Sequence, residues 1–178
     1  MKKLFVFTLV FFFTIINAQE NTLISYSEVV KVDSTRTSDE LYQQTKMWFV
    51  DVFKNSKAVI QLEDNANKTV IGEASFRYSS RIFFGCATTV GKIKYKISIT
   101  CKDGRYKYEI SNFYHEGKSF DFGYITIAED PNVKFGFTST RFKVYQEMKD
   151  DIKKEIVPLI VNLKEYMNQN KISAKEEW

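Results

Sequence analysis

The sequence predicts an α+β domain, an antiparallel sheet with two helices covering one of its faces. Three observations carry that expectation. Along residues 92–102, Ile93, Tyr95, Ile97, Ile99 and Cys101 alternate with Lys92, Lys94, Lys96, Ser98, Thr100 and Lys102. A period of two with one apolar and one charged side describes an antiparallel strand with one face in water. Asp103-Gly104 follows directly, and Tyr106, Tyr108 and Ile110 then alternate with Arg105, Lys107 and Glu109, so the strand turns back as a hairpin. Two further segments, opening at Thr37 and Arg141, repeat apolar residues at helical spacing instead.

The chain opens with Lys2-Lys3, an apolar run over residues 4–16 broken only by Thr8 and Thr14, and Asn17-Ala18. A cationic start, a short apolar stretch and a small residue before the cut predict a secretory signal peptide over residues 1–18. The run is too short to span a bilayer, which takes roughly 20 residues. Ile16 is larger than the ideal residue three places before the cut, so the cleavage site is less well defined than the leader. No cysteine follows the run to carry a lipid. The expectation is an exported protein, periplasmic or secreted, that does not span the membrane after cleavage. One domain would occupy residues 19–170, and the polar residues 171–178 would form a frayed tail.

Within that domain, residues 24–32 read as a first strand, rich in β-branched residues. Thr37 and Glu40 form a capping box at the start of the first helix. Leu41, Trp48 and Val52 lie along one side of it, with Tyr42, Phe49 and Phe53 beside them, and Asn55-Ser56 ends it. A strand over 58–62, a polar turn over 63–68 and a strand over 69–79 follow, the last with Val70, Gly72, Ala74, Phe76 and Tyr78 on one face. After the long hairpin, Phe120, Phe122 and Tyr124 alternate, Asp130-Pro131-Asn132 marks a turn, and Phe135-Gly136-Phe137 alternates again, so an extra hairpin is expected before the last helix. That helix spans 141–169, with Tyr145, Met148, Ile152, Ile156, Leu159, Ile160, Leu163 and Tyr166 on one side. Pro158 inside it should kink or break it.

The order β-α-β-β-β-β-α resembles one repeat of the TATA-binding-protein-like fold. Tyr26-Ser27-Glu28-Val29-Val30-Lys31-Val32-Asp33, Ser38-Asp39-Glu40-Leu41-Tyr42, Met47-Trp48-Phe49, Val59-Ile60-Gln61-Leu62-Glu63-Asp64 and Val70-Ile71-Gly72 carry a closer likeness. On these residues the chain resembles a family of exported Bacteroidetes proteins, a domain of unknown function with that fold. The likeness covers about residues 22–116 and leaves out the aromatic segment after Glu116. It implies export and fold and brings no activity, cofactor or site residue. Fold does not imply function, so DNA binding does not follow from the fold's name.

Loss of Lys2 and Lys3 with the leader takes the net charge from +4 to +2. That near balance argues against a nucleic-acid binder, which carries a basic stripe. His115 is the single histidine, too few for the usual zinc ligand sets, and no glycine-rich phosphate loop is present. No catalytic, cofactor-binding or metal site is expected, and no cofactor. Cys86 and Cys101 could pair in an exported chain, but the long strand between them keeps them apart. Asp150-Asp151 and Glu63-Asp64 read as solvated acids.

The candidate site is the open face of the sheet. Arg77, Lys92, Lys94, Lys96, Arg105 and Lys107 lie there beside Lys102 and suit an anionic ligand or an acidic partner surface. The same lysines also keep an exposed sheet soluble, and Glu73 and Glu109 would offset part of their charge. The expected function is a non-enzymatic binding or interaction module of the cell envelope, its partner an envelope protein or small ligand. The alternative is a pocket for a small apolar or amphiphilic molecule beneath the aromatic segment after Glu116. A hydrolase has only generic carboxylates behind it.

Overall fold

A computed structural model of the 178-residue chain describes residues 22–82, 90–118, 120–131, 133 and 138–169. The alternating segments form β1 (Tyr26–Lys31), β2 (Ile60–Asp64), β3 (Thr69–Tyr78), β4 (Gly91–Lys102), β5 (Arg105–Gly117) and the two-residue β6 (Gly123–Tyr124). The helices are α1 (Ser38–Val52), the single turn α2 (Ser56–Val59) and α3 (Thr138–Asn168). The strands make one antiparallel sheet in the order β1-β5-β4-β3-β2, and β6 pairs with the far end of β5 at Tyr114 and His115.

The capping box forms as the spacing of Thr37 and Glu40 implies. The Thr37 hydroxyl accepts from the Glu40 amide at 3.3 Å, and the Glu40 carboxylate accepts from the Thr37 amide at 2.9 Å. Asp103, in the β4–β5 turn, accepts a second helical amide, that of Ser38, at 2.7 Å. The same turn is tied to the β1–α1 connection by Gly104 N–H to Arg36 O and Val32 N–H to Gly104 O. Gly104 has φ +65°, a conformation open to glycine at little cost.

Leu41, Tyr42, Trp48 and Phe49 of α1 and Val144, Tyr145, Met148, Ile152, Ile156, Leu163 and Met167 of α3 are buried against one face of the sheet. That face presents Val70, Ala74 and Tyr78 of β3, the alternating Ile93–Cys101 set of β4, and Tyr106, Tyr108 and Ile110 of β5. Gly72 belongs to the same row because α1 comes closest there: an added Cβ would sit 2.6 Å from Phe49 Cε1 and 3.2 Å from Val59 Cγ1. Phe49 is fully buried beside Trp48 and Phe53 and has nowhere to retreat. Gly72→Ala is therefore expected to cost about 1–3 kcal/mol, the range for overpacked cores. Urea titration checks this, and an unchanged midpoint would show that the helix yields.

Three expectations need correction, and β5 adds a feature beyond the residues whose alternation the sequence shows. Residues 56–59 are a helical turn, and β2 begins only at Ile60. Asn55 accepts from the Ala58 amide, a local bond that competes with strand pairing. β5 does not alternate to its end: a bulge opposite Lys94/Lys96, with Asn112 at φ +59°, shifts the parity. Phe113 and His115 therefore point into the core. Phe120–Tyr124 is not a strand of its own; only Gly123–Tyr124 pair, and they pair with β5. Of the two outcomes expected at Pro158, the break does not occur, since α3 runs on through it. Pro158 and Lys154, the residue whose carbonyl loses its partner, are both exposed, so water can satisfy that carbonyl. The leader at 1–18, Cys86, the Phe135-Gly136-Phe137 arm and the tail at 171–178 lie outside the described residues.

Two polar networks clamp α3 at its ends. Near its start, the buried Glu147 carboxylate accepts from Tyr78 OH (3.0 Å), Ser80 Oγ (2.6 Å) and the Arg81 amide (2.8 Å). Arg81 also pairs with Glu147 and, through both terminal nitrogens, with Asp151, so Asp151 is a tether and not only a solvated acid. Near the end of α3, the buried Arg36 guanidinium donates to Met167 O at 2.5 Å and to Gln44 Oε1. Gln44 in turn donates to the carbonyls of Tyr166 and Gln169. Those carbonyls lie where a helix runs out of its own donors.

Candidate functional site

Both long helices lie on one side, so the other face of the sheet carries the side chains that alternate outward. Directly opposed residues on antiparallel strands point the same way, so the register maps this face residue by residue. At the end next to the Asp103-Gly104 turn, Lys31 of β1 stands opposite Arg105 of β5, and Arg105 opposite Lys102 of β4. Three cations thus occupy one row across three adjacent strands spaced ~4.8 Å apart. All three are exposed, and none makes an ion pair among the described residues. The nearest acid in sequence, Asp103, spends its carboxylate on the Ser38 amide of α1. That bond holds the Asp103 carboxyl below the usual carboxylate range.

The next row holds Val29, Lys107 and Thr100. Val29, Thr100, Lys102, Arg105 and Lys107 line a shallow hollow of about 370 Å³. Lys107 has one weak partner, Glu109 at 3.7 Å along its own strand, both half exposed.

Toward the other end of the face the cations have acids beside them, though they outnumber them. Glu116 pairs with Lys92 at 3.4 Å and with Lys94 at a closer contact. The Lys94 contact lowers the Glu116 carboxyl and raises the Lys94 amine. The pair is therefore intact at neutral pH and is lost as pH falls through the lowered Glu116 value. Lys96 stands opposite Glu73, and Arg77 opposite Lys92, both exposed. The six cations singled out in the sequence thus separate. Arg105 and Lys107 join the cationic row, Lys92 and Lys94 share one carboxylate, Arg77 lies beside Lys92 in that far row, and Lys96 stands between the two groups, opposite Glu73.

Four members of this face could not be found from cation counting. Lys31 belongs to it only because β1 pairs with β5. Tyr114 and Asn112 reach it only because the bulge reverses parity. Tyr124 arrives with β6, paired to Tyr114.

Among the described residues, the one cysteine and the one histidine lie on the opposite side. Cys101 is buried against Thr45, whose hydroxyl is 3.4 Å from its sulfur, and burial pushes its thiol up to about 11. His115 is buried edge-on to Tyr78 and Phe122, and its Nδ1 accepts from the Phe122 amide at 3.2 Å. Phe122 itself is buried and stacks on Tyr145, so its ring packs into the core. Among the described residues no group of three or more His, Cys, Asp or Glu side chains is arranged to hold a metal ion, and no helix is long and apolar enough to cross a membrane.

Residues 26–116 match the family model described as a domain of unknown function, DUF4468, with TBP-like fold. A crystal structure of a TBP-like protein from Parabacteroides distasonis is similar, with a TM-score of 0.51 and 16% identity over 82% of this chain and 92% of that one. A DUF4468 family protein from Bacteroides ovatus also matches, with a TM-score of 0.45 and 16% identity over 79% of this chain and 86% of that one. At 16% identity the first of these likenesses is one of fold. No curated protein matches the chain.

Proposed function

We propose a function from the surface alone, because the chain belongs to the DUF4468 family, a domain of unknown function with a TBP-like fold, which passes on no activity. The protein acts as a non-enzymatic binding module of the cell envelope, and the β1–β5–β4 end of its open face takes a partner carrying clustered anionic groups. One observation carries this reading: Lys31, Arg105 and Lys102 stand side by side without an acid among them. Like charges directly opposite one another weaken a sheet, and alternating signs would solvate the face as well at no such cost. An oxyanion laid across the row would relieve the repulsion and accept from several cations at once. The inward placement of Cys101 and His115 supports a binding role over a catalytic one. The leader-like residues 1–18 support the envelope as its place.

The test is titration of the folded protein at low salt with tripolyphosphate and, separately, hexaglutamate, following backbone amides by NMR. Saturable shifts at Lys31, Lys102 and Arg105 are expected with at least one probe, and which probe answers tells phosphate from carboxylate partners. Adding salt to ~0.15 M should weaken the binding, since exposed charges are then screened beyond ~8 Å. The double variant Lys102→Glu/Arg105→Glu should lose at least about tenfold in affinity, or ~1.4 kcal/mol. If neither probe moves these amides, or the double variant binds as tightly, the reading fails.

A further inference from the structure

At the opposite end of the open face, we propose a second site, for a neutral sugar ring, built on the β5 bulge and β6. The bulge sets Asn112 at φ +59° and turns Tyr114 outward. β6 then lays Tyr124 opposite Tyr114, the two rings packed edge to face with centroids 5.1 Å apart. Tyr124 is 56% exposed, a large amount for an aromatic residue in a paired strand. Asparagine accepts this backbone conformation more readily than most residues, and bulges serve to re-aim side chains. The rings and the Asn112 amide thereby border one hollow of about 290 Å³, with Glu73, Lys94 and Lys96 on its remaining sides.

The chemistry of that hollow selects among ligands. It has an aromatic wall, but a ring of polar groups surrounds it, which disfavours a purely apolar guest. Its charges balance: Lys94 is held by Glu116, and Lys96 stands opposite Glu73. A simple anion therefore gains little here, in contrast with the Lys31–Arg105–Lys102 row. The Asn112 amide, the Glu73 carboxylate and the Lys96 amine make no hydrogen bond or ion pair among the described residues. They leave donors and acceptors of both kinds around an aromatic plate. A pyranose matches this pattern, since its C–H face can lie on the tyrosine while its hydroxyls donate and accept around the rim. The volume is at the small end of ligand sites, about 300 Å³ and upward, the scale of one ring of a longer chain.

The experiment titrates the folded protein with cellohexaose, maltohexaose, xylohexaose and chitohexaose, again following backbone amides. At least one oligosaccharide is expected to give saturable shifts centred on Asn112, Tyr114 and Tyr124, with a Kd of about 1 mM or tighter. Tyr124→Ala, at an exposed position, should weaken that binding at least about tenfold, the loss of one stacking contact. Asn112→Gly keeps the backbone conformation and removes the amide, and a several-fold loss is expected. Lys102→Glu/Arg105→Glu should leave sugar affinity unchanged. The proposal is overturned if no oligosaccharide gives saturable shifts by about 10 mM. It is equally overturned if binding survives Tyr124→Ala intact or maps to the cationic row.

Discussion

Arg36→Met is expected to lower the unfolding free energy by about 3 kcal/mol, from the loss of two hydrogen bonds to a charged donor at roughly 1.5 kcal/mol or more each. The guanidinium is buried, 8% exposed, and it meets the Met167 carbonyl and the Gln44 amide oxygen. Methionine fills most of the volume but leaves both acceptors without a donor in a place water reaches poorly. The helix C-terminus also carries partial negative charge, which a buried cation offsets. Arg36→Lys should recover only part of the loss, because one ammonium cannot serve two acceptors as a planar fork does. Thermal melts would show a Tm lower by about 6–12 °C for a domain of this size. A double-mutant cycle with Gln44→Leu should be strongly non-additive, since both residues end the same helix. A loss below about 1 kcal/mol for Arg36→Met would mean that water reaches these carbonyls after all.

Glu147→Leu should be at least as damaging, at about 3–5 kcal/mol by comparison with other broken buried charge networks. The substitution removes the acceptor shared by Tyr78 OH, Ser80 Oγ and the Arg81 amide, and it takes one carboxylate from the Arg81 guanidinium. Tyr78 is 2% exposed. Burial first, and then the Glu147 charge, push its phenol far above the ordinary value, so it stays a protonated donor at any pH of interest. Glu147→Gln keeps the shape but turns an N–H toward donors, and a smaller loss of about 1–2 kcal/mol is expected. The distinguishing measurement is hydrogen exchange at the Arg81 amide. It should lose protection in both variants by more than global stability accounts for, because the 79–82 connection comes loose before the sheet does. If Arg81 stays as protected as the β4 core strand, Glu147 does not anchor that segment.

Local pattern was enough for much of this protein. The alternation from Ile93 to Cys101, the Asp103-Gly104 turn, the Thr37–Glu40 capping box and the apolar stripe of α3 each act over a few residues. Each concerns which side of a strand or helix is apolar, and the hydrophobic effect reads that directly. The open face and its cations followed, since a strand with one greasy side must have another. So did the core placement of Tyr106, Tyr108 and Ile110.

Only the tertiary structure decided which cations meet. Lys31 and Lys102 are 71 residues apart in number but share a row, because β1 and β4 both pair with β5. Strand order is settled by how the whole sheet packs, and no local period encodes it. The bulge at Asn112 is likewise a compromise between strands. A strict period of two would send Phe113 and His115 to solvent and Tyr114 inward, and burying the first two outweighs one strained backbone position. Arg36, Gln44 and Glu147 look like surface residues in the sequence because their type usually is. Their partners come from 8 to 131 positions away, and only the packing of α3 across the sheet brings them close enough to be buried with their hydrogen bonds made.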